Sequence, residues 1–159
     1  MAITIKRFER GDVEAVLGLL REFAEYEKLT EFLEVTEERI EKAFFADGSH
    51  VEGLVAMADG KAIGYAFFFP NFASFRGQRG LYLEDIYITE SARGKGAGEA
   101  MLRELARLGK SRGYERIDFV VLDWNTSAIG FYEKLGAEMD HSERHFKFTD
   151  EAFKNLARE

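Results

Sequence analysis

The sequence predicts one α/β (α+β) domain: a mixed, mostly antiparallel sheet with a central parallel β-α-β unit and helices on both faces. Three observations predict it. Short runs rich in β-branched and aromatic residues alternate with stretches whose apolar residues recur at steps of three and four. Asp59-Gly60 separates two of the runs and marks an antiparallel hairpin. A strand–helix–strand succession over 81–122 brings two strands parallel, because a helical crossover joins them.

The elements follow in order. Ile3 and Ile5, with Arg7 and Phe8, alternate as a first strand. Gly11-Asp12 opens a helix whose Val13, Val16, Leu17, Leu20 and Phe23 share one face. Thr36 caps a shorter helix carrying Ile40, Ala43 and Phe44. Val51–Ala58 and Ala62–Phe69 are the hairpin strands, and Leu81–Ile88 is a third. Glu99–Arg112 is a helix with Met101, Leu102, Leu105 and Leu108 on one side and Gly113 as its stop. Ile117–Leu122 is a nearly continuous apolar strand. Thr126–Leu135 is a short helix ended by Gly136. Arg144–Phe148 reads as a last strand and Glu151–Ala157 as a final helical turn or two.

The chain has 159 residues, the size of one domain spanning residues 1–159. No repeat, linker or transmembrane-length apolar run interrupts it, and the start is charged and strand-like rather than a signal peptide. With no Cys, it has no disulfide, thiolate metal site or Cys nucleophile, which fits a cytoplasmic location. A formal net charge of −7 disfavours nucleic-acid binding, whose phosphates demand basic patches. It suits a cationic partner, and it equally serves solubility.

The strand at 81–88 runs through Thr89-Glu90-Ser91-Ala92 into Arg93-Gly94-Lys95-Gly96-Ala97-Gly98 and then a helix. A glycine-rich turn at a helix start exposes backbone N–H groups at the positive end of the dipole, a natural pyrophosphate site. The turn lacks the P-loop spacing, and residue 99 is Glu where a dinucleotide fingerprint needs a third glycine. It does fit R-x-x-G-x-G. Beside it stand Leu81-Tyr82-Leu83-Glu84-Asp85-Ile86-Tyr87-Ile88, Leu122-Asp123-Trp124-Asn125 and Gly130-Phe131-Tyr132-Glu133-Lys134-Leu135-Gly136-Ala137. Near the start stands Glu22-Phe23-Ala24-Glu25-Tyr26-Glu27-Lys28-Leu29. Together these blocks resemble the GCN5-related N-acetyltransferases, in particular the spermidine/spermine (diamine) and thialysine N-acetyltransferase subgroup. The likeness covers nearly the whole chain and is strongest from Tyr82 to Ala137.

The resemblance implies an acetyl-CoA-dependent enzyme acetylating a primary amine on a small cationic metabolite, and a homodimer. Strands 81–88 and 117–122 should splay to admit the coenzyme arm beside Ile86, Tyr87 and Ile88. The pyrophosphate should rest on Arg93, Gly94, Lys95, Gly96, Ala97, Gly98 and Glu99. Asn125, Thr126, Ser127 and Lys134 should make further coenzyme contacts, with Asn125 also a sound helix N-cap. Glu84 is implied as the water-linked base, and Tyr132 as the proton donor to the leaving sulfur. Tyr26, Glu27, Glu84, Asp85 and Glu143 are implied for the substrate. Without Cys, direct transfer in a ternary complex is the simpler route.

Each residue also has a plainer reading. Adjacent Glu84 and Asp85 point to opposite faces of a regular strand, so one would face a cleft. Tyr132 at helical spacing beside Ile129 and Leu135 suits core packing. Tyr26 and Glu27 equally form a solvated helix end. His141 and His145 flank Glu143, yet a metal needs a third ligand, so no metal is expected. Ala73-Ser74-Phe75-Arg76-Gly77 carries no acid where the polyamine enzymes have one. That favours a thialysine- or lysine-like amino acid at least as much as a polyamine. The competing functions are a non-catalytic acyl-CoA-binding regulatory module and a protein or peptide N-acetyltransferase of the same fold.

Overall fold

The computed structural model describes residues 2–159. The chain divides into two compact units, residues 1–120 and 121–159. The first holds a five-stranded sheet in the order β1-β2-β3-β4-β5. Its strands are β1 (Ile3–Arg7), β2 (Glu52–Ala58), β3 (Lys61–Ala73), β4 (Gln78–Ile88) and β5 (Ile117–Asp118). Each of the first four runs antiparallel to its neighbour, and β5 runs parallel to β4. The mixed, mostly antiparallel sheet is therefore as predicted, with the parallel pair at one edge.

The β2–β3 hairpin turns on Asp59 (φ 51°) and Gly60 (φ 75°), the doubly left-handed geometry that an Asp-Gly pair supplies. The β3–β4 hairpin is longer than its apolar run suggests, pairing out to Ala73 opposite Gln78. The helices of this unit are α1 (Val13–Tyr26), α2 (Glu37–Phe45) and α3 (Ala97–Ser111). Thr36 caps α2, its Oγ1 accepting from the Arg39 N–H at 3.1 Å. α3 begins two residues earlier than the apolar periodicity indicates, because the left-handed Gly96 (φ 87°) serves as its N-cap.

Alternation along the strands feeds two cores. On one face Leu54, Ala56, Ala66, Phe68, Leu81 and Leu83 meet Met101 and Leu105 of α3. On the other, Val55, Tyr65, Phe67 and Tyr87 meet Val16 and Leu17 of α1 and Ile40 of α2. Helices thus cover both faces. Glu52 fastens the far end, its carboxylate taking both guanidinium nitrogens of Arg112 at 2.7 Å and pairing with Arg7 as well. Those cations hold the Glu52 pKa below its ordinary value against the opposing cost of burial.

Two expected strands differ. Only Ile117 and Asp118 of the predicted 117–122 strand pair, with Leu81 and Tyr82. The ladder stops just before an irregularity in β4, where the extra residue breaks the hydrogen-bond spacing. β5 is instead pinned at its start. Arg116 donates twice to Asp118, at 2.8 and 2.7 Å, and Asn71 Nδ2 donates to Asp118 at 3.1 Å.

The second unit contains α4 (Thr126–Lys134) and α5 (Asp150–Leu156). Residues 144–148 form no strand and are exposed. Alternation alone does not make a strand; the backbone groups need a neighbouring edge to pair with.

Gly64 faces Ile88 across the β3–β4 ladder, where a Cβ would lie 2.7 Å from the Tyr87 carbonyl oxygen. Gly64→Ala is expected to destabilise the fold by about 1–3 kcal/mol, because backbone cannot move aside as a side chain can. Urea unfolding of the two proteins checks it.

Candidate active site

The β3–β4 register carries the site. Phe67 pairs with Asp85 and Phe68 with Leu83, so Glu84 is one residue more than β3 can match. Such a bulge advances the side-chain phase by one. Leu81 and Leu83 pack on the α3 face, and so do Ile86 and Ile88, three residues on from Leu83 rather than two. Glu84 and Asp85 therefore share the opposite face. Both line an open cleft of about 1190 Å³ between β3–β4 and α2. The expectation that the two carboxylates point apart is overturned, because it assumed a regular strand.

Their surroundings differ. Glu84 is exposed, whereas Asp85 is half-buried. Tyr65, fully buried on β3, donates its hydroxyl to Asp85 Oδ2 at 3.3 Å. Burial raises the Asp85 pKa to about 7, the negative charges of Glu84 and Glu27 add to the rise, and the Tyr65 hydrogen bond opposes it. The Tyr65 hydroxyl is itself pushed well above its ordinary range by burial and by Asp85.

Tyr65 was missed by sequence reasoning, since its partner lies 20 residues away across a ladder. The bulge had a signal. The apolar positions 81, 83, 86 and 88 skip a beat at Glu84-Asp85.

Tyr26 ends α1 and Glu27 is its C-cap. Burial raises the Glu27 pKa, and its charge is felt at Asp85 and Tyr65. A third carboxylate thus stands at this end of the sheet. Arg93 links it to the glycine turn. Its guanidinium lies 4.7 Å from the Tyr26 ring centre and 5.3 Å from that of Tyr87, and its Nε donates to the Ile88 carbonyl at 2.9 Å. Tyr87 faces the α1 side and stacks on Phe23, so its side chain points away from that of Ile86 and Ile88.

In the glycine turn Gly94 (φ 75°) and Gly96 (φ 87°) both hold the left-handed conformation that costs a side chain dearly. A Cβ at either would touch nothing within 4 Å, so the space over the turn is open. No side chain caps α3. The first-turn N–H groups of Ala97, Gly98 and Glu99 therefore have no partner within the helix. Lys95 bends back to the Ser91 carbonyl at 3.4 Å. Glu99 pairs with Arg103 at 2.6 Å, which offsets its negative charge at the turn. β4 adds a second feature. Beyond Tyr82 no strand pairs with it on the β5 side among the described residues, so Leu83–Ile88 presents a backbone edge there.

The remaining predicted residues lie in the unit 121–159. Asn125 is 7% exposed and caps α4, its Oδ1 accepting from the Ala128 N–H at 3.2 Å. Thr126 and Ser127 form the first turn of α4; Tyr132 and Lys134 occupy its last. Glu143 is exposed in a non-regular segment with His141 and His145. No group of three or more metal-ligating side chains occurs among the described residues.

The candidate site thus combines a glycine turn opening a helix, a strand edge beyond the last pairing with β5 and a carboxylate pair in a cleft. Residues 13–137 match the acetyltransferase (GNAT) family, and the chain belongs to it. The chain is 33% identical to the thialysine N-epsilon-acetyltransferase of Bos taurus, across 98% of this chain and 97% of that protein. It is 38% identical to an L-ornithine N5-acetyltransferase of Arabidopsis thaliana, over 58% of this chain and 41% of that one. Among solved structures, an integron cassette protein of V. cholerae superposes with a TM-score of 0.82 at 23% identity, covering 100% of this chain and 99% of that one. The fold is thus common to chains whose sequences have diverged widely.

Asp85→Asn isolates the cost of the buried charge. The folded-state pKa of about 7 lies above the ordinary 3.8, so the stability that Asp85 contributes is full below about pH 4 and lost as pH rises to about 7. The neutral amide keeps the shape and still accepts from Tyr65. The variant is expected to gain about 1–3 kcal/mol over the native protein above pH 7, and nothing near pH 4. Urea melts across this range measure it.

Proposed function

We propose that this enzyme transfers the acetyl group of acetyl-CoA to the terminal primary amine of a small amino acid, without a covalent enzyme intermediate. The observation that carries the reading is the bulge-made carboxylate pair, Glu84 and Asp85, facing one cleft beside an open strand edge. The relatives named for thialysine and ornithine support an amino acid over a long polyamine. So does the absence of an acid in the Ala73–Gly77 turn.

The residues present fit the coenzyme. The left-handed glycines and uncapped α3 start leave donors and open space for a pyrophosphate. The Leu83–Ile88 edge offers peptide groups to an extended arm. Asn125, Thr126, Ser127 and Lys134 are assigned further contacts from the family resemblance. When bound, acetyl-CoA supplies the activated thioester.

The protein's own task is proton management. An alkylammonium has a pKa of about 10 and arrives protonated and non-nucleophilic. Glu84, Asp85 and Glu27 attract it. Glu84 accepts its proton, directly or through water, and Asp85, poised near neutrality, is a second acceptor. Tyr132 is assigned as the donor to the departing sulfur.

A thiol-release assay with acetyl-CoA and a panel of amines, amino acids and peptides tests the reading. Small ω-amino acids are expected to be turned over and peptides not; no thiol release with any amine would sink it. Gly96→Asp is expected to abolish coenzyme A binding in calorimetry. Tyr132→Phe should lower kcat by roughly 10²–10⁴-fold with coenzyme affinity and melting temperature unmoved. Near-native kcat, with chemistry rate-limiting, would remove Tyr132 from the mechanism.

A further inference from the structure

The α2 wall of the cleft that holds Glu84 and Asp85 carries two cations beside one acid, Glu38. The cations are Arg39 and Lys42. They stand three residues apart, hence on one side of the helix. Neither side chain makes an ion pair or hydrogen bond among the described residues. Elsewhere Arg7, Arg10, Arg103, Arg107, Arg112 and Arg116 hold carboxylates. Lys42 even leaves Glu38 unpaired, although that residue lies four positions before it on the same cleft wall. Glu41, another acid of the helix, is taken by Arg10.

The helix that presents them is firmly seated. Ile40 is 3% exposed, and the Phe44 ring lies 4.6 Å from that of Phe67 and 5.1 Å from that of Phe8. Two like charges a turn apart repel and add nothing to the fold. Facing a carboxylate pair across one cleft, they make it dipolar.

We infer that Arg39 and Lys42 form a carboxylate subsite that selects a zwitterionic ω-amino acid over the corresponding diamine. The inference rests on the acetyltransferase reading above. The reacting amine sits against Glu84 and Asp85, and the α-carboxylate of the same molecule meets the guanidinium and ammonium of α2. A guanidinium hydrogen-bonds a carboxylate through two parallel N–H groups, which gives direction as well as charge. A diamine brings a second ammonium to the same place and meets repulsion instead. Discrimination thus has an attractive and a repulsive part.

Matched pairs test it: ornithine against 1,4-diaminobutane and lysine against 1,5-diaminopentane, each pair differing by one carboxylate. The native enzyme is expected to favour the amino acid in kcat/KM. In Arg39→Met/Lys42→Met, amino-acid kcat/KM should fall by roughly 10–100-fold while that of the diamine rises, an effect of the size expected for charged hydrogen bonds. The charge-keeping Arg39→Lys/Lys42→Arg should retain the native preference. A ratio unmoved by the methionine variant, or a native preference for diamines, overturns the subsite and leaves the acetyltransferase standing. Absence of thiol release from the native enzyme with every amine overturns both.

Discussion

The β3–β4 ladder carries one more residue on β4 than on β3, and the geometry of the candidate site depends on how that excess is absorbed. The bulge at Glu84 keeps hydrophobic residues on the α3 face on both sides of it, Leu81 and Leu83 before, Ile86 and Ile88 after. The core is therefore undisturbed while two adjacent acids are turned to one side. The parallel pairing with β5 also ends there. A strand without the bulge would place Glu84 and Asp85 on opposite faces and bury one of them in the α3 core, where a charge is costly.

The two halves of the candidate site use different materials. At the glycine turn, the proposed recognition falls to peptide groups. Arg93 and Lys95 are folded back on nearby carbonyls, and Gly94 and Gly96 are fixed by dihedral angle rather than by crowding. In the cleft it falls to side chains whose charges are left incompletely satisfied. Asp85 shows the compromise. Tyr65 gives it one hydrogen bond, enough to orient the carboxylate and too little to offset burial beside two other acids.

Much of this was legible in the sequence. Periodicity found all five helices and the first four strands. Asp59-Gly60, Thr36 and Asn125 performed the turn and cap roles their chemistry suits, and Gly113 and Gly136 took left-handed conformations at helix ends. What stayed hidden depends on pairing between distant residues. The shortness of β5 is set by where β4 stops accepting hydrogen bonds, not by the apolar run 117–122. Residues 144–148 alternate correctly and still form no strand, for lack of a ladder. The Tyr65–Asp85 contact and the Arg39–Lys42 wall arise only when β3, β4 and α2 are brought together. The skipped beat in Leu81–Ile88 was visible, yet its meaning required a partner strand to count against.

The edge of β4 from Leu83 to Ile88 also bears on colloidal behaviour. A stretch of strand with unpaired peptide groups is a template on which a second chain can zip, and Ile86-Tyr87-Ile88 has the β-forming character such pairing rewards. Two acids and a break in the pleat immediately precede that tripeptide. An incoming strand would have to lose register at the bulge and stack its neighbours against the charges there. The same residues that give the cleft its polarity thus act as gatekeepers against edge-to-edge pairing with another copy of the chain.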